Sequence, residues 1–229
     1  MACILNIETS TSVCSVAVSN NGVCEFERED NSGPNHAVSL GKFVDEALSF
    51  IDSRLFTLDA VAISEGPGSY TGLRIGTSMA KGICYAREVP LVAISTLKVM
   101  SVPLLLGEKV GTDSLLCPMI DARRMEVYAA LYDRALNEVR PTQADIVDAD
   151  TYRQWLDRQE VCFFGNGSEK CKDAIGHPNA RFIDGIKPLA RWMFPLAEQK
   201  LMNGKTEDVA YFTPFYLKDF VAKQPRKLL

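Results

Sequence analysis

Residues 64 to 76, Ser-Glu-Gly-Pro-Gly-Ser-Tyr-Thr-Gly-Leu-Arg-Ile-Gly, set four glycines at the start of a helical pattern. A phosphate cradle has this composition, because it aims backbone N–H groups at an anion from a helix start. The spacing argues against one. Gly66-x-Gly68-x-x-x-Gly72 misses the dinucleotide pattern by one residue, no Gly-Lys-Ser/Thr follows, and Pro67 removes a donor. Glu8 and Asp121 each close an apolar run, ACILNIE at 2–8 and LLCPMID at 115–121. A carboxylate in that position can approach a metal or a phosphate, or it can cap a turn; both readings stay open. The only histidines are His36 and His177, which share no ligand spacing, so no metal site is assigned. The seven cysteines lie mostly in apolar runs without a CxxC pair and read as buried free thiols of a reducing compartment. Cys24 or Cys84 as a nucleophile would need a base that two histidines hardly supply, and no catalytic residue is assigned.

The elements that position these residues follow from periodicity. The apolar run to Glu8 precedes a small polar turn and a strand at 13–19, and Asn20-Asn21-Gly22 folds the next strand, 23–29, back as a hairpin. Glu25, Glu27 and Glu29 share one face of that strand, as on a charged, protected edge, with an acidic binding face as the alternative. A helix is predicted from His36 to Asp52, a buried strand at 60–64, a helix from Thr71 to Arg87, a strand at 91–94 and an apolar helix near 97–106. After the linker GEKVGTD (107–113) the order begins again: Leu115 to Asp121, a turn, and a strand at 127–132. With a one-residue gap, Glu8 falls on Asp121 and Val13 on Val127. Helices at 151–159 and 187–202 and short strands at 161–164 and 181–183 complete a looser copy. The expected class is α/β, with two related lobes of mixed sheet at 1–106 and 107–229, the second reduced. Such duplication is similar to the actin-like ATPase (ASKHA) fold.

The 229 residues are 47% hydrophobic and 24% charged, with a net charge of −4 at pH 7. That balance opposes a broad nucleic-acid surface, which needs excess Lys and Arg to displace counterions. The stretch 216–229 holds Lys218, Lys223, Arg226 and Lys227 against Asp219 and reads as a solvated terminus, with a local basic patch as the alternative. The amino terminus has no charged leader region, and no stretch reaches the roughly 18 apolar residues of a membrane span. The expected location is the cytoplasm.

Two helices carry more apolar surface than one sheet can cover. At 100° per residue, the apolar and small residues of 72–86 fill an arc of roughly 200°, against a little over 100° for one packed face. Gly72, Gly76 and Ala80 form a small-residue ladder on it. On the helix from His36, residues including Leu40, Phe43, Val44 and Ala47 span roughly 160°. Paired across a two-fold axis or with a related subunit, the two helices would make a four-helix interface.

Four segments together resemble the TsaB (YeaZ) family: ILNIETST (4–11), GPGSYTGLRIG (66–76), IDARRMEVY (120–128) and PFYLK (214–218). The resemblance spans nearly the whole chain. It implies an accessory subunit of bacterial tRNA threonylcarbamoyladenosine synthesis that pairs with and activates a catalytic paralogue, TsaD, joined by an ATPase, TsaE. It also implies a homodimer in isolation, with tRNA engaged through the complex. No cofactor is expected on this chain alone; ATP or ADP and a divalent metal would enter through TsaD and TsaE. The implied partner surface comprises His36, Leu40, Phe43, Val44, Ala47, Thr71, Gly72, Leu73, Gly76, Thr77 and Ala80, with Glu8 and Asp121 as nucleotide-proximal candidates. The catalytic paralogue presents two histidines four residues apart where this chain has His36 and Leu40, so His36 reads as a packing or helix-end residue. An independent ATPase or kinase, or a glycoprotease-like metalloenzyme, is the alternative reading.

Overall fold

The computed structural model describes residues 2–33, 36–107 and 110–218. The first half runs β1 (Cys3–Glu8), β2 (Cys14–Asn20), β3 (Val23–Asp30), α1 (His36–Ser53), β4 (Leu58–Gly66), α2 (Tyr70–Arg87), β5 (Leu91–Ser95) and α3 (Thr96–Leu106). Its sheet has the order β3-β2-β1-β4-β5, antiparallel through the first three strands and parallel through the last three. Asn21 and Gly22, at φ 53° and 78°, make the tight turn between β2 and β3 that their residue types favour.

The second half repeats the path with β6 (Leu115–Asp121), β7 (Glu126–Tyr132), β8 (Glu138–Ile146), α4 (Arg153–Leu156), β9 (Val161–Phe164) and β10 (Ala180–Ile183). The order β8-β7-β6-β9-β10, with the same parallel and antiparallel pairings, makes it a topological copy of the first half. This is the two-lobed duplication of mixed sheets expected from the sequence. The copy is reduced: four-residue α4 stands where the first half has eighteen-residue α1, and a 3₁₀ turn, Glu169–Cys171, replaces α2.

The expected strands and helices need three adjustments. The sequence carries no clear signal for β8, because Pro141 interrupts a half-exposed run that has no buried stripe. The helix expected at 151–159 is only α4, and that at 187–202 is a 3₁₀ turn, Ala190–Trp192, followed by α5 (Phe194–Met202), which starts afresh at Pro195. All seven cysteines are free thiols, and all but the half-buried Cys24 are buried. Of the basic terminus, Lys223, Arg226 and Lys227 lie outside the described residues.

α3 holds the halves together. Leu97, Met100 and Leu104 join Leu116, Ile120, Tyr132 and Phe164 in one buried cluster, while Val99 packs with Ala62, Val92 and Ile94 of the first sheet. A helix apolar on all sides is what a position between two sheets requires. After β10 the chain returns to the first sheet. Ala190, Met193 and Ala197 pack on it, Arg191 pairs with Glu27 and Glu29 of edge strand β3, and the Glu207 N–H donates to the Leu91 carbonyl at 2.8 Å.

Candidate functional sites: an interlobe cleft and an apolar groove

The β1–β2 turn, the start of α2 and the β6–β7 turn converge on a cleft of about 680 Å³. The glycine loop forms one wall, and close packing explains its composition. Ser69 N–H donates to the Ser10 carbonyl at 2.6 Å, and a Cβ on Gly68 would overlap that same oxygen. Ser69 caps α2, its side chain accepting from Gly72 N–H at 3.3 Å. The N–H groups at this helix start are thus partly committed to the protein itself.

The two strand-end acids have diverged. Glu8 is fully buried: one oxygen accepts the Ser10 N–H at 2.6 Å and the other the Ser64 hydroxyl. Burial pushes its carboxyl above the ordinary range, with the Ser10 and Ser64 hydrogen bonds pulling the other way. Glu8 is not among the residues that line the cleft, whereas Asp121 is. Asp121 accepts the Arg123 N–H at 3.0 Å and pairs with Lys170. The two arginines of the β6–β7 turn, Arg123 and Arg124, both have left-handed φ, 72° and 45°, and Arg123 lines the cleft.

His36 opens α1, and its Nε2 lies 2.7 Å from the Thr11 carbonyl, so that nitrogen is the donor and ties the helix to the β1–β2 turn. Leu40, one turn on, is fully buried in the first core. A metal held by two histidines does not fit here: one position is aliphatic and the other ring is committed to a carbonyl. His177 lies elsewhere, 3.3 Å from Asp157. Among the described residues, no three His, Cys, Asp or Glu side chains assemble as a metal set.

On the outer side of α2, Leu48, Ile75, Met79, Gly82 and Ala86 line an apolar groove of about 660 Å³, with Arg74 and Arg87 also in its wall. Most of the helix residues expected at a partner surface are covered by the chain's own fold. Gly72 and Gly76 turn toward the chain's own β1: a Cβ on either would overlap Thr9, and the Thr9 hydroxyl donates to the Gly72 carbonyl at 2.7 Å. Leu73, Thr77 and Ala80 are buried within this chain, as are His36, Leu40, Val44 and Ala47 of α1. Of the interface candidates only Phe43 and Thr71 keep partial or full exposure. Ile75 and Met79, which the helical arc included but the interface assignment left out, are half-buried on the groove wall. Their neighbours in sequence gave no sign of which face the sheet would take.

A family model described as TsaD, tRNA N6-adenosine threonylcarbamoyltransferase, matches residues 30–225. The tRNA threonylcarbamoyladenosine biosynthesis protein TsaB of Escherichia coli K12 is 32% identical over 225 residues, 96% of each chain. The Bacillus subtilis protein of the same name is 30% identical over 176 residues, 75% of this chain and 74% of that one. Among solved structures, a Pseudomonas aeruginosa protein described as similar to peptidase YEAZ superposes with a TM-score of 0.81 at 23% identity, covering 95% of this chain and all of the other. That likeness concerns the fold.

Proposed function

Because the chain belongs to the TsaB family of tRNA threonylcarbamoyladenosine biosynthesis proteins, we propose that it acts as the accessory subunit that pairs with and activates a TsaD-like catalytic paralogue. The observation that carries this reading is the apolar groove on α2. Ile75, Met79, Gly82 and Ala86 form a continuous strip on a helix whose opposite face is already packed on its own sheet. A duplicated fold that meets a copy or a paralogue through such a strip buries it against the same helix of the partner. The same surface serves a homodimer when the paralogue is absent.

The cleft supports an accessory role. Of the acids at the two strand ends, Glu8 is spent on internal hydrogen bonds and Asp121 is paired with Lys170. In this reading ATP or ADP and a divalent metal belong to the assembled complex, held by the TsaD-like subunit and a TsaE-like ATPase, and tRNA is engaged through the complex. No helix among the described residues is long and apolar enough to cross a membrane.

Affinity capture of the tagged chain at native abundance, followed by mass spectrometry, tests the reading. Recovery of a TsaD-like protein together with a small ATPase is the expected result. Recovery of the chain alone, with ATP turnover by the purified chain unaided, would replace the accessory role with an independent ATPase.

A further inference from the structure

The segment Pro214–Lys218 crosses from one lobe to the other over the cleft and is fixed at three places. Phe215 N–H donates to the Glu65 carbonyl at the end of β4, at 2.7 Å. The Tyr216 ring lies 4.8 Å from the Tyr70 ring at the start of α2. Lys218 pairs with Glu126, the first residue of β7 in the second lobe. Gly66, at φ 114°, lets the strand end pass beneath the segment, since a Cβ there would lie 2.6 Å from the Phe215 carbonyl oxygen. Tyr216, Leu217 and Lys218 then form part of the cleft lining.

A fourth contact leads out of the cleft. The Arg74 guanidinium stands 4.3 Å from the centre of the Tyr70 ring, and Arg74 is also a wall of the apolar groove. Arg74, Tyr70 and Tyr216 therefore make a continuous chain of contacts from the groove to the crossing segment.

We propose that Pro214–Lys218 is an interlobe strap that ties the two lobes together across the cleft in the free chain, and that occupancy of the groove loosens it through Arg74 and Tyr70. A partner in the groove that offers Arg74 a carboxylate competes with Tyr70 for the guanidinium. Tyr216 then loses a ring whose position Arg74 had helped to fix. The coupling is reciprocal: a strap held in place weakens whatever draws Arg74 away. The groove half of this proposal rests on the accessory-subunit reading; the strap itself does not.

Hydrogen exchange followed by mass spectrometry over residues 214–218 reads the strap directly. In the free wild-type chain the Phe215 amide, which donates to the Glu65 carbonyl, exchanges at least about tenfold slower than an unprotected one. Glu126→Lys speeds it about threefold, the scale of one exposed ion pair. The reversed pair, Glu126→Lys with Lys218→Glu, restores the slow rate, which mere damage to the fold would not. Arg74→Ala also speeds exchange about threefold, the scale of an exposed cation–π contact. An unprotected Phe215 amide in the wild type, or a reversed pair that fails to restore its protection, would sink the strap. An Arg74→Ala variant with unchanged exchange would remove the link to the groove. Saturation with the TsaD-like paralogue should speed exchange at 214–218, and unchanged or slower exchange in a formed complex overturns the coupling. If no complex forms, the accessory-subunit reading fails, while the free-chain rates still decide the strap.

Discussion

Thr9 donates its hydroxyl hydrogen to the carbonyl of Gly72 at 2.7 Å, and the next turn of the same helix brings Gly76 against the same side chain. The glycines of α2 let that helix sit on the end of β1 with no side chain between them. Gly72→Ala and Gly76→Ala each force β1 and α2 apart, an overpacking that costs about 1–3 kcal/mol. Gly76→Leu fails to give a folded monomer, whereas a helix ladder facing a partner would have tolerated it. Urea titration of the purified variants checks this, and a Gly76→Leu chain as stable as the wild type would return the ladder to the surface.

The groove calls for the opposite result. Met79→Asp or Ile75→Asp puts a charge on a half-buried wall, so the isolated chain keeps its melting temperature within a few degrees, on the order of a surface substitution. Binding to the TsaD-like paralogue drops by about 100-fold or more, as when a charge is placed in the apolar centre of an interface. Calorimetric titration of the two purified subunits measures it, and retained affinity would move the interface elsewhere.

Glu8 gives the protein a pH dependence with a definite sign. Its folded carboxyl titrates above the ordinary value of 4.5, so the folded state holds the proton more tightly than the unfolded chain does. The stability this supplies is complete below the ordinary value and is lost as pH rises through the folded one. Glu8→Gln, which keeps an acceptor for Ser10 and a partner for Ser64, therefore melts higher than the wild type at pH 8 and converges with it toward pH 4. Melting curves across that range show the trend, and a Gln variant equally destabilised at both ends would mean that the hydrogen bonds outweigh burial.

In the second lobe, Arg140 pairs with both oxygens of Asp145, at 2.9 and 2.5 Å, and the Tyr152 hydroxyl donates to the same carboxylate at 2.6 Å. The two side chains are about nine-tenths buried. Asp145→Ala leaves a buried guanidinium and a buried phenol without their acceptor and costs about 3–5 kcal/mol. A chemical-denaturation midpoint close to wild type would show that water replaces the carboxylate there.

His36→Ala removes the donor to the Thr11 carbonyl, a bond worth about 1 kcal/mol. Modification of tRNA in a reconstituted system remains largely intact. Abolished modification with assembly preserved would give His36 a direct part in the chemistry.

How much of this was legible in the sequence depended on how local the signal was. The Asn20-Asn21-Gly22 turn, α1 and α2 to within a residue or two, and the second strand-end acid at Asp121 all follow from spacing within a dozen residues. The faces of α2 did not. A helical wheel runs Ile75, Met79, Gly72, Gly76 and Ala80 through one continuous arc, and β1, more than sixty residues earlier, decides which part of that arc is covered. β8 escaped because a half-exposed edge strand broken by Pro141 has neither periodicity nor a continuous apolar run. The strap was visible only as the motif PFYLK; its contacts with Glu65, Tyr70 and Glu126 join residues far apart in the chain.

The helix shared by the two sheets bears on how this architecture can be taken apart. α3 belongs by sequence to the first half, yet Leu97, Met100 and Leu104 are buried against strands of the second. A fragment ending at Leu106 would carry an oily face to solvent, and the complementary fragment would present the bare floor of its own sheet. The two halves are a duplication in plan, but for solubility they are one indivisible object, and co-expressed fragments cut at 107–113 should recover each other rather than persist apart.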